Sequence, residues 1–360
     1  MNGIIAVLLC FALLGVADKI CGGRFGVAES FDRGLTTMGP LCLSMAGIYC
    51  IAVTALSENP EIIAAIGKVL PFDASLLAGA LLAPDLGGYA IAVQMAASVP
   101  IGQYTGVLVA STLGGLISFV LPVSLGSLRE HEIMGFMQGV LWGIIALPTG
   151  LAAGGLLLAM PPLTLWENLW PVLLLCIVLC AALHRIPRGC IAALTLLGKL
   201  VCVLGAVLFC IVAAGVFVPM WHFVPDALFA EVLTIVFKIT VVVCGAMVAS
   251  QLLLAHCGKW IGAAARKLGI NDYAVLGLLM SLVTSISMLP LYAKMDVRGK
   301  VMNAAFTVSG AFVFGGQLAF VSSVSTEKSV FAYLVCKLTG GIIAVLLAAK
   351  FTKNSACTVE

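Results

Sequence analysis

Nine apolar stretches, each about the length of a membrane-spanning helix, constrain this chain more than any other feature. They run over residues 2–17, 34–57, 101–125, 133–160, 168–183, 200–218, 230–256, 301–322 and 329–349. A helix needs about 20 apolar residues to cross a bilayer. Only 10% of the residues are charged, against about 25% in soluble domains. The sequence therefore predicts an all-α polytopic membrane protein in contact with the lipid bilayer. It excludes soluble enzymes and nucleic-acid-binding proteins.

The 13 cysteines and 4 histidines indicate no cofactor. No CxxC pair or Cys/His cluster occurs, so neither a metal nor a redox site is expected. The N-terminal stretch has no basic region before it and no clear cleavage site. We interpret it as a retained first span and not as a signal peptide.

Two further apolar segments are interrupted. Residues 74–97 carry Pro84 and the Gly87–Gly88 pair near their centre, and residues 273–292 carry a group of Ser and Thr residues. Broken helices are tolerated in a bilayer only where protein or a water-filled cavity satisfies the freed backbone groups. We therefore expect both segments to be re-entrant hairpins that turn back without crossing.

The distribution of basic residues supports this topology, because cytoplasmic loops carry an excess of Lys and Arg. Lys238 and Lys337 fall inside spans and are set aside. With both hairpins turning back, fifteen of the remaining basic residues lie on one side and only Lys68 and Lys328 on the other. This predicts nine crossings, an N-terminus outside and a C-terminus in the cytoplasm.

The same order of elements recurs in opposite orientation, which is typical of inverted-topology repeats in secondary transporters. Asp73 and Asp272 begin the two hairpins, and Asp85 falls opposite Ser285 at an offset of about 200 residues. The sequence thus predicts one repeat at 1–160, a linker helix at 161–188, a second repeat at 189–350 and a cytoplasmic tail at 351–360. Sequence similarity between the halves is weak, so the topology carries this prediction.

Four strings resemble the ethanolamine transporter family EutH of ethanolamine-utilisation operons. They are SFDRGLTTMGPL (30–41), LLAPDLGGY (81–89), MDVRGKVMNAAFTVSGAF (295–312) and GGQLAF (315–320). The similarity in order and spacing extends over nearly the whole chain. The resemblance implies a bacterial inner-membrane permease, not an enzyme, that takes up ethanolamine. This sequence departs from the family pattern at residues 284–287 and 316–317. The departures leave choline or another small amine as an alternative substrate.

Ethanolamine is a small cation with one hydroxyl, so a site needs a counter-charge and a hydrogen-bonding group. Asp85 is the strongest candidate, because it is the acid at the centre of an apolar segment, where a charge is costly. It could instead pair with Lys238 or Lys337, or cap a half-helix. Gly87 and Gly88 let the backbone turn and approach a ligand closely. Tyr89 could stack on the ammonium or serve in ordinary packing.

The second hairpin and the span after it supply the remaining candidates for substrate binding. They are Thr284, Ser285, Ser287, Asn303 and Gln317. The hydroxyls could bind the substrate hydroxyl or a sodium ion, or bond back to helical carbonyls. Asn303 and Gln317 could bind substrate or join helices.

Three classes of function remain open to different degrees. A membrane enzyme would need paired intramembrane acids, a Ser/His pair or a metal motif, and none occurs. A carrier with alternating access and a channel-like facilitator both fit the pattern. No motif distinguishes sodium coupling, proton coupling and uncoupled transport. By analogy with elevator-type transporters we expect a homo-oligomer.

Overall fold

A computed structural model describes residues 3–59, 61, 69–256 and 258–352, and within these ranges the chain forms helices and no strand. Lys68 and the tail from residue 353 onward, which entered the predictions above, lie outside the described residues. The helices are numbered in chain order. They are α1 (Gly3–Ile20), α2 (Ala28–Glu58), α3 (Ser75–Leu81), α4 (Gly88–Met95), α5 (Val99–Ser127), α6 (Glu130–Leu157), α7 (Pro162–Arg185), α8 (Pro187–Phe217), α9 (Asp226–His256), α10 (Gly258–Leu268), α11 (Asp272–Ser281), α12 (Leu289–Tyr292), α13 (Val297–Ser309), α14 (Gly316–Val324) and α15 (Glu327–Phe351).

Seven of these helices are long and apolar enough to cross a membrane, which makes the chain a multi-pass membrane protein. They are α2, α5, α6, α7, α8, α9 and α15. Each corresponds to one of the nine stretches found in the sequence. The stretch 2–17 corresponds to α1, an 18-residue helix that is not among the seven.

The remaining stretch, 301–322, is not one continuous helix, and the sequence prediction was wrong on this point. Helix α13 ends at Ser309 and α14 begins at Gly316. In the break, Phe312 takes a φ of 65°, and the backbone N–H of Phe312 donates to the carbonyl of Ser281 at 3.0 Å. A Cβ at Gly315 would clash with the Val283 carbonyl, so this glycine lets the break lie against the residues that follow α11. The freed backbone groups find partners at the end of α11.

In each of the two interrupted segments, hydrogen bonds join the first residues to the last ones. The Asp73 carboxylate accepts a hydrogen bond from the N–H of Ala97 at 3.0 Å. In the second segment, the side chain of Asn271 donates to the carbonyl of Lys294 at 2.8 Å, and its N–H donates to Asp296 Oδ1 at 3.0 Å. We call 73–97 hairpin 1 and 271–296 hairpin 2. The residue that closes hairpin 2 is thus Asn271 and not its neighbour Asp272.

Small residues bring α6 into close contact with two later helices. Cβ atoms added at Gly139 and Gly143 would clash with α13, and one added at Gly150 would clash with the Cys336 carbonyl of α15. Close backbone approach through glycine is a common way to join helices in a bilayer, where the hydrophobic effect gives no drive for association. Helices α6, α13 and α15 are thus closely packed against one another.

The first helices of the two halves pack in a reciprocal way. Helix α1 packs against α9, and α8 packs against α2. The first helix of each half therefore contacts the second helix of the other half.

Candidate functional site

The tip of hairpin 1 is a break in the helical backbone that carries Asp85. Helix α3 ends at Leu81, the chain is extended at Leu82 and Ala83, and Pro84 starts a single 3₁₀ turn. Proline cannot donate to the preceding turn, and it disfavours the helical conformation in the residue before it. The Ser118 hydroxyl of α5 accepts a hydrogen bond from the freed N–H of Ala83 at 3.0 Å. The break thus rests directly on α5.

Asp85 forms no ion pair in the described structure. Its side chain is partly exposed, and the turn that carries it packs against α14. Within the described parts of the chain, no basic residue comes within 4.0 Å of its carboxylate, and no other residue donates a hydrogen bond to it. The carboxylate is therefore available to a further cation.

Lys337 is held by both halves of the protein. Its side chain is only 1% exposed, and its Nζ donates to the carbonyl of Ser111 at 2.7 Å and to Gln317 Oε1 at 2.8 Å. Ser111 lies in a part of α5 that is wound more widely than an α-helix, a feature common at functional sites. Gln317 lies in the first turn of α14, directly after the break. Gln317 thus bonds directly to Lys337, and the turn that carries Asp85 packs against α14, the helix of Gln317.

Tyr333 completes this cluster from one turn earlier on α15. Its hydroxyl donates to the carbonyl of Phe312 at 2.7 Å. The Lys337 ammonium lies 5.6 Å from the centre of the Tyr333 ring and 5.8 Å from that of Phe312. Aromatic faces at this distance attract a cation. We call Asp85, Ser111, Phe312, Gln317, Tyr333 and Lys337 the central cluster.

The other predicted residues of hairpin 1 have structural contacts. Gly87 has a φ of 93°, and a Cβ at this position would lie 2.7 Å from Ile48 Cγ2; one at Gly88 would clash with the Leu82 carbonyl. The Tyr89 hydroxyl donates to the carbonyl of Val324 at 2.8 Å and accepts from Gln103 at 3.1 Å. Tyr89 therefore joins hairpin 1 to the end of α14.

The predicted hydroxyls of hairpin 2 lie at its own tip. Thr284 precedes a short 3₁₀ turn that runs over Ser285–Met288. None of the hydroxyls of Thr284, Ser285 and Ser287 bonds to another residue in the described ranges. Ser287 lines a cavity of about 60 Å³ together with Ser30, Arg33, Met247, Ser250, Gln251, Met280 and Val283. No hydrogen bond joins these hydroxyls to the central cluster within the described structure.

Asn303 lies at the base of hairpin 2 and not at its tip. Its side chain is fully buried, and its amide group donates to the carbonyls of Ala274 and Gly299, both at 2.9 Å. It therefore links α11 to α13. The part of the chain that the structure describes contains no group of three or more His, Cys, Asp or Glu residues placed to hold a metal ion.

Sequence reasoning singled out Asp85 and Gln317 but not the other members of the central cluster. Lys337 entered only as a possible partner for Asp85. Its depth was a usable signal: it lies ten residues into α15, about 15 Å from the start and about 21 Å from the end of the helix. Neither distance can be spanned by a lysine side chain. Ser111 contributes its backbone carbonyl, so its side-chain type carried no signal.

Comparison with known proteins gives a family match and several relatives. The family model described as "Ethanolamine utilisation protein, EutH" matches residues 1–351. A "Probable ethanolamine permease EutH" of Listeria monocytogenes is 33% identical, over 95% of this chain and 91% of the relative. "Uncharacterized protein YxeR" of Bacillus subtilis is 32% identical over 98% and 95%. The "Probable ethanolamine permease EutH" of Salmonella typhimurium is 28% identical over 96% and 94%. No solved structure matches.

Proposed function

The chain belongs to the ethanolamine utilisation protein EutH family, and on that premise we propose that it carries ethanolamine across the bacterial inner membrane, as an alternating-access carrier or a facilitator. Relatives named as permeases support a transport role and no enzyme activity. The substrate is a protonated amine that also carries a hydroxyl. It needs an anionic partner in a narrow site that is shielded from bulk water.

The observation that carries the proposal is the unpaired carboxylate of Asp85 at a break in the membrane segment. A charge near the centre of a bilayer is costly and usually has a functional reason. Substrate and ion sites in secondary transporters lie where discontinuous helices meet near the midplane. Asp85 has these properties, and it lies beside the break between α13 and α14. In this proposal Asp85 binds the substrate ammonium.

Hairpin 2 is the source of the groups that bind the substrate hydroxyl. Thr284, Ser285 and Ser287 have hydroxyls without partners in the described structure, and Ser287 opens onto a polar cavity. In this proposal the substrate reaches the tip of hairpin 2 after its ammonium leaves Asp85. Its hydroxyl then bonds to the hydroxyls at that tip. In this proposal, five other predicted residues keep the two tips in position: Gly87, Gly88, Tyr89, Asn303 and Gln317.

The re-entrant character of both hairpins and the inverted repeats are part of the proposal. Closure of each hairpin at its base supports re-entry. Lys300, just after hairpin 2, contacts Glu132 at the start of α6 at 3.4 Å. Phe72, just before hairpin 1, packs against Trp170 in the first half of α7 with ring centroids 6.2 Å apart. Helix α6 is about 42 Å long, and Trp170 lies only about 12 Å along the returning helix α7. The bases of the two hairpins therefore lie toward opposite ends of the bundle.

Element order extends this symmetry over the whole chain. Helices α1, α2, hairpin 1, α5 and α6 correspond in order to α8, α9, hairpin 2, the α13–α14 pair and α15. The reciprocal packing of α1 and α8 agrees with this pairing. We place the repeats at 1–160 and 189–350, with α7 as the linker, the N-terminus outside and the C-terminus in the cytoplasm. Fusions of green fluorescent protein and alkaline phosphatase to the C-terminus test the orientation, because the first is fluorescent only in the cytoplasm.

Uptake of radiolabelled ethanolamine into proteoliposomes tests the substrate and the role of Asp85. We expect saturable uptake by the wild type and at least a ten-fold loss in Asp85→Asn. The control is Asp226→Asn, because Asp226 has a side chain that is 93% exposed. Full uptake by Asp85→Asn would overturn the role of Asp85. Uptake of choline in place of ethanolamine would overturn the proposed substrate, and a rate that never saturates would favour a channel.

A further inference from the structure

Lys337 occupies a site that is built for a monovalent cation. A backbone carbonyl from one half of the protein and an amide oxygen from the other bind its ammonium at 2.7 and 2.8 Å. Two aromatic faces flank it, and the turn that carries Asp85 packs against α14, the helix of Gln317. Backbone carbonyl oxygens that are freed from regular α-helical bonding also coordinate sodium in broken-helix transporters.

The lysine is fixed in this position by its place in the chain. It lies too deep in α15 for its ammonium to reach either membrane surface. Lys199 and Lys238, which also lie inside long helices, have exposed side chains and none of these contacts. Other lysines inside the long helices of this protein therefore do not share the environment of Lys337.

We propose that Lys337 is a tethered cation. Its ammonium fills the position that a sodium or potassium ion would take between the two halves, so that binding of substrate at Asp85 requires no inorganic cation. The inference rests on the proposed function for its effect on transport, but the cation site itself does not depend on it.

The experiment removes the tethered ammonium and offers free cations in its place. Lys337→Ala leaves the oxygens of Ser111 and Gln317 with space beside them, whereas Lys337→Met removes the charge but keeps most of the volume. The melting temperature of each purified variant is measured in sodium, potassium, ammonium and N-methyl-D-glucamine chloride at equal ionic strength. We expect one of the three small cations to raise the melting temperature of Lys337→Ala by several degrees. The wild type and Lys337→Met should show no such dependence.

Uptake provides the second measurement. Wild-type uptake should be the same in sodium and in N-methyl-D-glucamine. Uptake by Lys337→Ala should fall at least ten-fold in N-methyl-D-glucamine and recover at least in part with the cation that stabilises it. A wild type that requires sodium would overturn the proposal, as would a folded Lys337→Ala that no cation stabilises. If Lys337→Ala does not fold, the proposal is still tested by wild-type uptake, because uptake that requires sodium would overturn it.

The two proposals fail in different ways. If the wild type takes up no ethanolamine but a small cation stabilises Lys337→Ala, the substrate is wrong and the tethered cation stands. If ethanolamine uptake is saturable and sensitive to Asp85→Asn but depends on sodium in the wild type, the substrate stands and the tethered cation is wrong.

Discussion

The carboxylate of Asp73 accepts a hydrogen bond from the backbone N–H of Ala97 at 3.0 Å, although the two residues are 24 positions apart. The same side chain also accepts from the N–H of Ser75 at the start of α3. One residue thus caps the first helix of hairpin 1 and closes the hairpin at its base. Asn271 combines the same two roles in hairpin 2, where it caps α11 and bonds to Lys294. The position of each hairpin tip depends on these closures.

Asp73→Ala should therefore destabilise hairpin 1. The substitution removes the cap of α3 and leaves the N–H of Ala97 without its partner, and losses of this kind cost about 1–3 kcal/mol. We expect a lower melting temperature and weaker ethanolamine uptake. Asp226→Ala is the control, because that side chain is exposed. An Asp73→Ala protein that melts with the wild type would show that the closure is not needed.

Gly87→Ala should destabilise the tip that carries Asp85. The φ of 93° is unfavourable for any residue with a Cβ, and the added atom would lie 2.7 Å from Ile48 Cγ2. Strain of this kind costs about 1–3 kcal/mol. We expect loss of melting temperature together with loss of uptake. Gly126→Ala on α5 is a matched control, since nothing lies within 4 Å of a Cβ at that position. Equal melting of both variants would contradict the strained tip.

The glycines of α6 should tolerate substitution only where the helix faces open space. Gly139→Leu would push α6 away from the backbone of α13, and Gly150→Leu would push it away from α15. Gly135 lies on the same helix with nothing within 4 Å of an added Cβ. We expect the first two variants to be lost from the monodisperse fraction in size-exclusion chromatography and Gly135→Leu to remain. Survival of Gly139→Leu as a stable protein would argue against the close α6–α13 contact.

Features that depend on local chemistry could be predicted from the sequence. Length and apolarity identified the seven long helices, and Pro84 with the following glycines identified the break at Asp85. The start of hairpin 2 was predicted within one residue, at Asp272 instead of Asn271. Both residue types suit the start of a helix, so only the structure shows which side chain closes the hairpin.

Features that depend on contacts between distant segments could not be predicted. The stretch that contains Phe312 is apolar and has the length of a span. Its break becomes favourable because the end of α11 accepts hydrogen bonds from it. Similarly, the wide turns of α5 carry no sequence motif, yet they present the Ser111 carbonyl to Lys337. The partners of these groups lie about 30 to more than 200 residues away in the chain.

Tyr89→Phe separates a structural from a substrate-binding role for this residue. The substitution keeps the ring, which packs edge-on against Phe320, and removes the hydroxyl that bonds to Val324 and Gln103. A cation that stacks on the ring would still bind, whereas the link between hairpin 1 and α14 would be lost. Because such a hydrogen bond contributes about 0.5–1.5 kcal/mol, we expect a modestly lower melting temperature.

Uptake kinetics complete this test. If the hydroxyl serves only to join hairpin 1 to α14, the KM for ethanolamine should stay within two-fold of the wild type. Tyr89→Leu removes the ring as well, and it should raise KM only if the aromatic face contacts the ammonium. A large rise in KM for Tyr89→Phe at unchanged melting temperature would assign the hydroxyl to the substrate. In that case the bonds to Val324 and Gln103 would have to break when ethanolamine binds.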